Sequence, residues 1–159
     1  NTAEKILTDF GLNSIPVDVS EIAKRANVLI KRAPSKKFSG LLYRKGNTAF
    51  MAISSSEPLV RQRFTIAHEL GHFFMHPNKY TFIEFRDSEK NISRGIKEIH
   101  ANQFSAALLM PRKFIEKDVK NFKDTGLTGE GIKFLAKKYQ VSEEAMNFRL
   151  INLNLLTTK

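Results

Sequence analysis

Between Ser56 and Pro77 the chain sets apolar residues at helical spacing around three polar ones, and nothing else in it limits the fold so strongly. Phe64, Ile66, Ala67, Leu70, Phe73 and Phe74 demand cover on most sides of one helix, with Ser56 to cap it, Pro58 in its first turn and Pro77 to stop it. His68, Glu69 and His72 lie inside that run, where buried polar groups are costly unless something satisfies them. A core able to enclose such a helix needs most of the 159 residues, 42% of them hydrophobic and 13 of them Phe. That content excludes a disordered chain, and the expectation is a single domain over residues 1–159.

Other elements follow from punctuation and period. Ile6, Leu7 and Phe10 form a helical stripe ending at Gly11, and Asp18 with Glu21 is a capping-box pair for a helix near Val19 to Ala26. Val28 to Lys31, Leu41 to Arg44 and Thr48 to Ile53 have the composition of strands, the last two joined through Lys45, Gly46 and Asn47. A polar stretch from Pro77 to about Gly95 contains Tyr80 and Phe82 as a candidate strand or groove edge. A long helix then runs through Ile99, Phe104, Leu108 and Leu109 to Pro111, followed by helices near Lys113 to Asn121, Gly129 to Tyr139 and Glu143 to Asn152. The fold class is therefore α+β: a small three-stranded antiparallel sheet, a helical core and C-terminal helices.

With no cysteine, disulfides, thiolate metal sites and cysteine nucleophiles are all excluded, and any metal must rest on His, Asp and Glu. No apolar run approaches the roughly 18 residues of a membrane span and no secretory leader is visible, so the expected setting is the cytoplasm. The net charge of +10 is spread along the sequence in pairs such as Lys24-Arg25 and Lys36-Lys37, with no block of five. Dispersed in this way it reads first as a solvated surface, with nucleic acid as a weaker alternative.

His68-Glu69-Leu70-Gly71-His72 is an H-E-x-x-H pattern. The i, i+4 spacing puts both imidazoles on one helix face, aimed at a common ion, and two neutral imidazoles suit zinc. Glu69, to one side of that face, can reach a metal-activated water, which is the position of a general base in peptide hydrolysis. The extended His-containing motif of the metzincins fails, because Met75 and Asn78 stand where its Gly and His would be. His76 lies about 12 Å along the helix from His68, too far to share the ion. A carboxylate from another helix remains, and Glu98 is the strongest candidate: it shares a face with Asn102, Ser105 and the small Ala101, which would permit close helix approach. Glu84, Asp87 and Glu116 are rivals.

Arg61-Gln62-Arg63-Phe64-Thr65-Ile66-Ala67 leading into the motif, Glu98-Ile99-His100-Ala101-Asn102-Gln103-Phe104, and Leu108-Leu109-Met110-Pro111 together resemble the ImmA/IrrE family of metallopeptidases. Weaker likenesses at Pro16-Val17-Asp18, Ser39-Gly40, Leu135-Ala136 and Arg149-Leu150 extend the resemblance to nearly the whole chain. It implies a minimal zincin-like domain with His68, His72 and Glu98 as metal ligands and Glu69 as catalytic base. It also implies zinc-dependent cleavage of a specific partner protein, a helix-turn-helix transcriptional repressor, relieving repression in a mobile element, prophage or stress response. Manganese and iron compete with zinc as the metal. Two positions depart from the family pattern, Ser105 for the usual alanine and His100 for Glu or Gln. For the stabiliser of the transition state, Tyr80 and Arg63 are the candidates.

Two other classes of function compete. The helices at Ile132 to Tyr139 and Ser142 to Leu153 have helix-turn-helix proportions in a basic chain. Against DNA binding, Gln140 occupies the turn position where Gly is common, and Glu143 and Glu144 would face phosphates. A metal-binding anti-repressor that sequesters its partner without cutting it is the remaining alternative.

Overall fold

The computed structural model describes residues 1–77, 81–85 and 92–156. The chain opens with α1 (Thr2–Asp9) and α2 (Val19–Arg25), where one half of the expected capping box forms: the Asp18 carboxylate accepts from the Glu21 amide at 3.0 Å, while the Glu21 carboxylate accepts from Arg25 at 2.7 Å instead of reaching back to Asp18. Strands β1 (Val28–Ala33), β2 (Phe38–Lys45) and β3 (Thr48–Ser54) follow, then the central helix α3 (Leu59–Met75). Next come β4 (Thr81–Phe85), α4 (Ile92–Leu109), α5 (Arg112–Val119), α6 (Gly129–Tyr139) and α7 (Glu143–Asn152). The α+β class stands. Among the described residues no helix is long and apolar enough to cross a membrane.

The sheet differs from expectation in two respects. It is mixed, because β1 runs parallel to β3 while β2 pairs antiparallel with both β3 and β4. It also has a fourth strand, giving the order β1-β3-β2-β4, with β4 beginning just after Tyr80 and containing Phe82. Pro34 explains the first difference: it ends β1, and the connection to β2 is held by Ser54, whose hydroxyl donates to the Ser35 carbonyl at 2.8 Å. β1 and β2 therefore do not close on each other as a hairpin, and β3 enters between them. The β2–β3 hairpin forms where expected, pairing Lys45 with Thr48 across a turn in which Gly46 has φ +61°.

Alternation along the strands sends Leu42, Ala49, Met51 and Ile53 to one buried face, where Ala49, Met51 and Ile53 share a core with Ile66, Ala67 and Leu70 of α3. On its far side α3 packs against α4, and the two approach so closely that a Cβ at Gly71 would lie 3.2 Å from the Ala101 Cα. The α3 N-terminus lacks the expected Ser56 cap: Pro58 holds that position without a side-chain bond, and Gln62 instead donates to the Glu57 carbonyl at 2.8 Å. C-terminally, α5 and α6 are tied by Asp118, which accepts from the Tyr139 hydroxyl and from the Lys138 ammonium, each at 2.8 Å. Leu135, Met146 and Leu150 complete the core.

Candidate metal centre

His68 and His72 project from the buried middle of α3 toward α4, and both are 1% exposed. Their Nε2 atoms are 3.1 Å apart. Glu98 of α4 faces them, with one carboxylate oxygen 2.9 Å from His68 Nε2 and the other 3.1 Å from His72 Nε2. Burial opposes the charged form of Glu98, but its contacts to the two histidines outweigh that and hold the carboxyl well below the usual range. Asn102, one turn further along α4, accepts a hydrogen bond at 2.8 Å from His68 Nδ1. With one proton committed there, release of the proton that Nε2 shares with Glu98 would leave the Nε2 lone pair facing the centre, as a metal-ligating imidazole requires.

The donor set fits a metal ion. Two imidazole nitrogens and a carboxylate offer ligand atoms that all lie within 4.8 Å of one another, drawn from two helices. Ligand atoms at zinc distances in a tetrahedron are separated by about 3.4 Å, close to the spacings seen here. Neutral imidazoles and a carboxylate would otherwise point lone pairs at one another, so the cluster calls for a cation or bound protons to hold it.

Glu69 is fully buried on the side of α3 that faces β2. Gly40 of β2 lies directly against it: a Cβ there would come within 2.4 Å of Thr65 Cγ2 and 3.3 Å of the Glu69 carboxylate. The glycine thus makes room for the carboxylate between strand and helix. A groove of about 390 Å³ between α3, α4 and α7, lined by Phe64, Asn102, Ala106, Met110, Ala145 and Phe148, meets the site through Asn102, the partner of His68. Phe148 is 55% exposed there and gives the groove an open apolar wall.

The structure brings His68, His72 and Glu98 together and sets Glu69 on the same helix. Among the described residues His76, His100, Glu116 and Arg63 do not join that cluster. His76 caps the end of α3, and its imidazole pKa is lowered by burial and by nearby His72 and Lys97. His100 is exposed, and Glu116 pairs with Arg112 at 2.6 Å on α5. Arg63 is engaged elsewhere, its guanidinium donating to the carbonyls of Val17 at 3.0 Å and Gln140 at 3.2 Å. Glu84 lies on β4 opposite Gly40, while Tyr80 and Asp87 fall outside the described residues. Ser105 is buried and donates to the Phe64 carbonyl at 3.2 Å, so its hydroxyl acts as a tie between α4 and α3.

Sequence reasoning placed Asn102 on the right face without seeing that it orients His68; its i+4 spacing from Glu98 was the available signal. Gly40 carried no such signal, because its partner Thr65 is 25 residues away in the chain.

Comparison with known proteins agrees with this geometry. The profile of the IrrE N-terminal-like domain matches residues 23–151. The radiation response metalloprotease IrrE of Deinococcus radiodurans is 32% identical over 99 residues, covering 62% of this chain and 29% of that protein. The metallopeptidase ImmA of Bacillus subtilis is 30% identical over 115 residues, covering 70% of this chain and 63% of that protein. The chain thus spans less than two thirds of the length of either relative. The profile match takes in the whole of α3 and α4, including the three converging side chains, and on that basis the chain belongs to the ImmA/IrrE metallopeptidase family.

Proposed function

We propose that residues 1–159 act as one zinc-dependent endopeptidase unit that cleaves a specific partner protein, a helix-turn-helix transcriptional repressor, and so relieves repression. The observation that carries the reading is the convergence of His68, His72 and Glu98 with donor atoms about 3 Å apart, with the buried carboxylate of Glu69 next to His68 on the same helix. Bound there, zinc would supply a Lewis acid for the scissile carbonyl and lower the pKa of water to about 7. In this reading His68, His72 and Glu98 are the ligands, and Asn102 keeps His68 in the tautomer that can bind. Glu69 takes a proton from the attacking water and returns it to the leaving amine. The groove beside Asn102 supports an extended peptide as substrate, since its apolar wall could seat side chains flanking the cut.

The test uses the protein encoded in the neighbouring reading frame, if it is a small repressor, incubated with this chain and zinc and examined by mass spectrometry. A single defined cleavage that disappears with chelator and in Glu69→Gln is the expected result. Derepression by Glu69→Gln at the wild-type level would instead establish the anti-repressor that binds without cutting. The DNA-binding reading of α6 and α7 gains little support: Met146 and Leu150 are buried, Arg149 donates to the Met110 carbonyl at 3.0 Å, and Glu143 and Glu144 open the second helix.

A further inference from the structure

We propose that the solvent face of the sheet, opposite α3, binds single-stranded nucleic acid. The inference is independent of the peptidase reading and starts from where the charge lies. Residues 22–56 contain eight Lys or Arg and no Asp or Glu, leaving 18 cations against 16 anions in the rest of the chain. Nearly all of the +10 net charge is thus carried by the end of α2, the strands β1 to β3 and their connections, although the sequence looks evenly basic.

Not all eight cations are available. Arg25 is paired with Glu21 at 2.7 Å, and Arg44 sits over the Phe73 ring at 4.3 Å while donating to the Phe73 carbonyl. Lys31, Arg32, Lys36, Lys37 and Lys45 are exposed. Strand alternation places Lys31 on the same face as Leu29, and Lys45 on the same face as Tyr43. That face also carries apolar groups that the core does not use. Leu29, Phe50 and Tyr43 stand in register across β1, β3 and β2, with Leu29 51% and Tyr43 43% exposed. The Tyr43 and Phe50 rings are side by side, centroids 6.4 Å apart and planes tilted by 35°.

Two neighbouring rings on an open sheet, bordered by cations of a segment, residues 22–56, that contains no Asp or Glu, offer what an unpaired strand presents: base faces to stack and phosphates to neutralise. Duplex DNA satisfies only the second requirement, because its bases are already stacked. An acidic protein likewise meets the charge but leaves the ring faces without a planar partner.

The experiment is fluorescence anisotropy of labelled oligo-dT with the whole chain across a salt series, alongside an abasic strand of equal length, duplex DNA and polyglutamate. Salt-dependent binding of oligo-dT, about tenfold or more tighter than the abasic strand or duplex, is expected. Tyr43→Ala with Phe50→Ala should weaken oligo-dT about tenfold or more with little change in salt slope. Lys31→Ala and Lys45→Ala should each reduce the slope of log affinity against log salt by about 0.7. Circular dichroism checks that each variant is folded, and the two lysine variants, at exposed positions, provide a test if the ring variant is not. Equal binding of abasic strand and oligo-dT overturns the proposal, as does absence of binding at low salt. Tighter binding of polyglutamate also overturns it and identifies an acidic protein as the partner.

Discussion

Gly71→Ala tests how closely α3 and α4 must approach for the centre to form. In an unencumbered helix interior this change stabilises by about 1 kcal/mol, because glycine has more backbone entropy to lose. At position 71 the added methyl would lie 3.1 Å from Phe104 Cδ1, 3.2 Å from the Ala101 Cα and 3.3 Å from the Ala101 carbonyl oxygen. Two of those three atoms are backbone and cannot rotate away, so α4 has to retreat by a few tenths of an ångström. Overpacking of this kind costs about 1–3 kcal/mol. The two effects oppose each other, and the apoprotein should be destabilised by between zero and about 2 kcal/mol. The retreat carries Glu98, three residues before Ala101, away from His68 and His72. Zinc affinity should therefore fall by about tenfold, at the lower end of what misoriented ligands lose. Urea unfolding of the metal-free protein reads the first quantity and titration calorimetry with zinc the second. A variant about 1 kcal/mol more stable than wild type, with unchanged zinc affinity, would refute the close-approach argument.

Glu69→Gln should retain zinc and lose cleavage by about two to four orders of magnitude, whereas His72→Ala should lose both, as metal analysis and fragment mass spectrometry will read. Asn102→Leu removes the acceptor for His68 Nδ1 and should lower zinc affinity by about 10- to 100-fold with little loss of fold stability, measured by calorimetry and urea unfolding. Burial first, then the Asp118 hydrogen bond, raises the Tyr139 phenol above its ordinary pKa. The folded state thus favours the neutral phenol, and its contribution is complete below the unfolded tyrosine value of about 10 and is lost as pH rises beyond it. Tyr139→Phe should flatten the alkaline fall in stability, costing about 0.5–1.5 kcal/mol at neutral pH, since Asp118 keeps its bond to Lys138. An alkaline limb identical in wild type and Tyr139→Phe would remove that assignment.

Those elements of the site that depend on local periodicity were legible in the sequence. Residues four apart on a helix must share a face, so the His68–His72 pair followed from spacing alone, and the small Ala101 next to Glu98 and Asn102 signalled a close helix contact. Non-local features were not accessible in that way. The parallel pairing of β1 with β3 depends on which strand lies beside which, and period-two alternation says only which face each residue takes. Gly40 matters because Thr65 and Glu69 cross it in space, a relation that no window of adjacent residues contains. Arg63 is the converse case: next to the motif in sequence, its side chain is drawn off by carbonyls at Val17 and Gln140. The sheet charge is a mixed case: the acid-free window of residues 22–56 is visible in the sequence, but which of its cations share one open face follows only from the strand pairing.

The position of β3 between β1 and β2 has a consequence for synthesis. A ribosome delivers the two flanking strands before the one that joins them, so for a short interval the emerging chain shows bare edges and apolar residues such as Leu29 and Leu42 with nothing to zip against. Nascent chains stalled after Lys45 should be digested faster by protease than chains stalled after Ser54. Equal digestion would mean that the early strands find shelter without their centre.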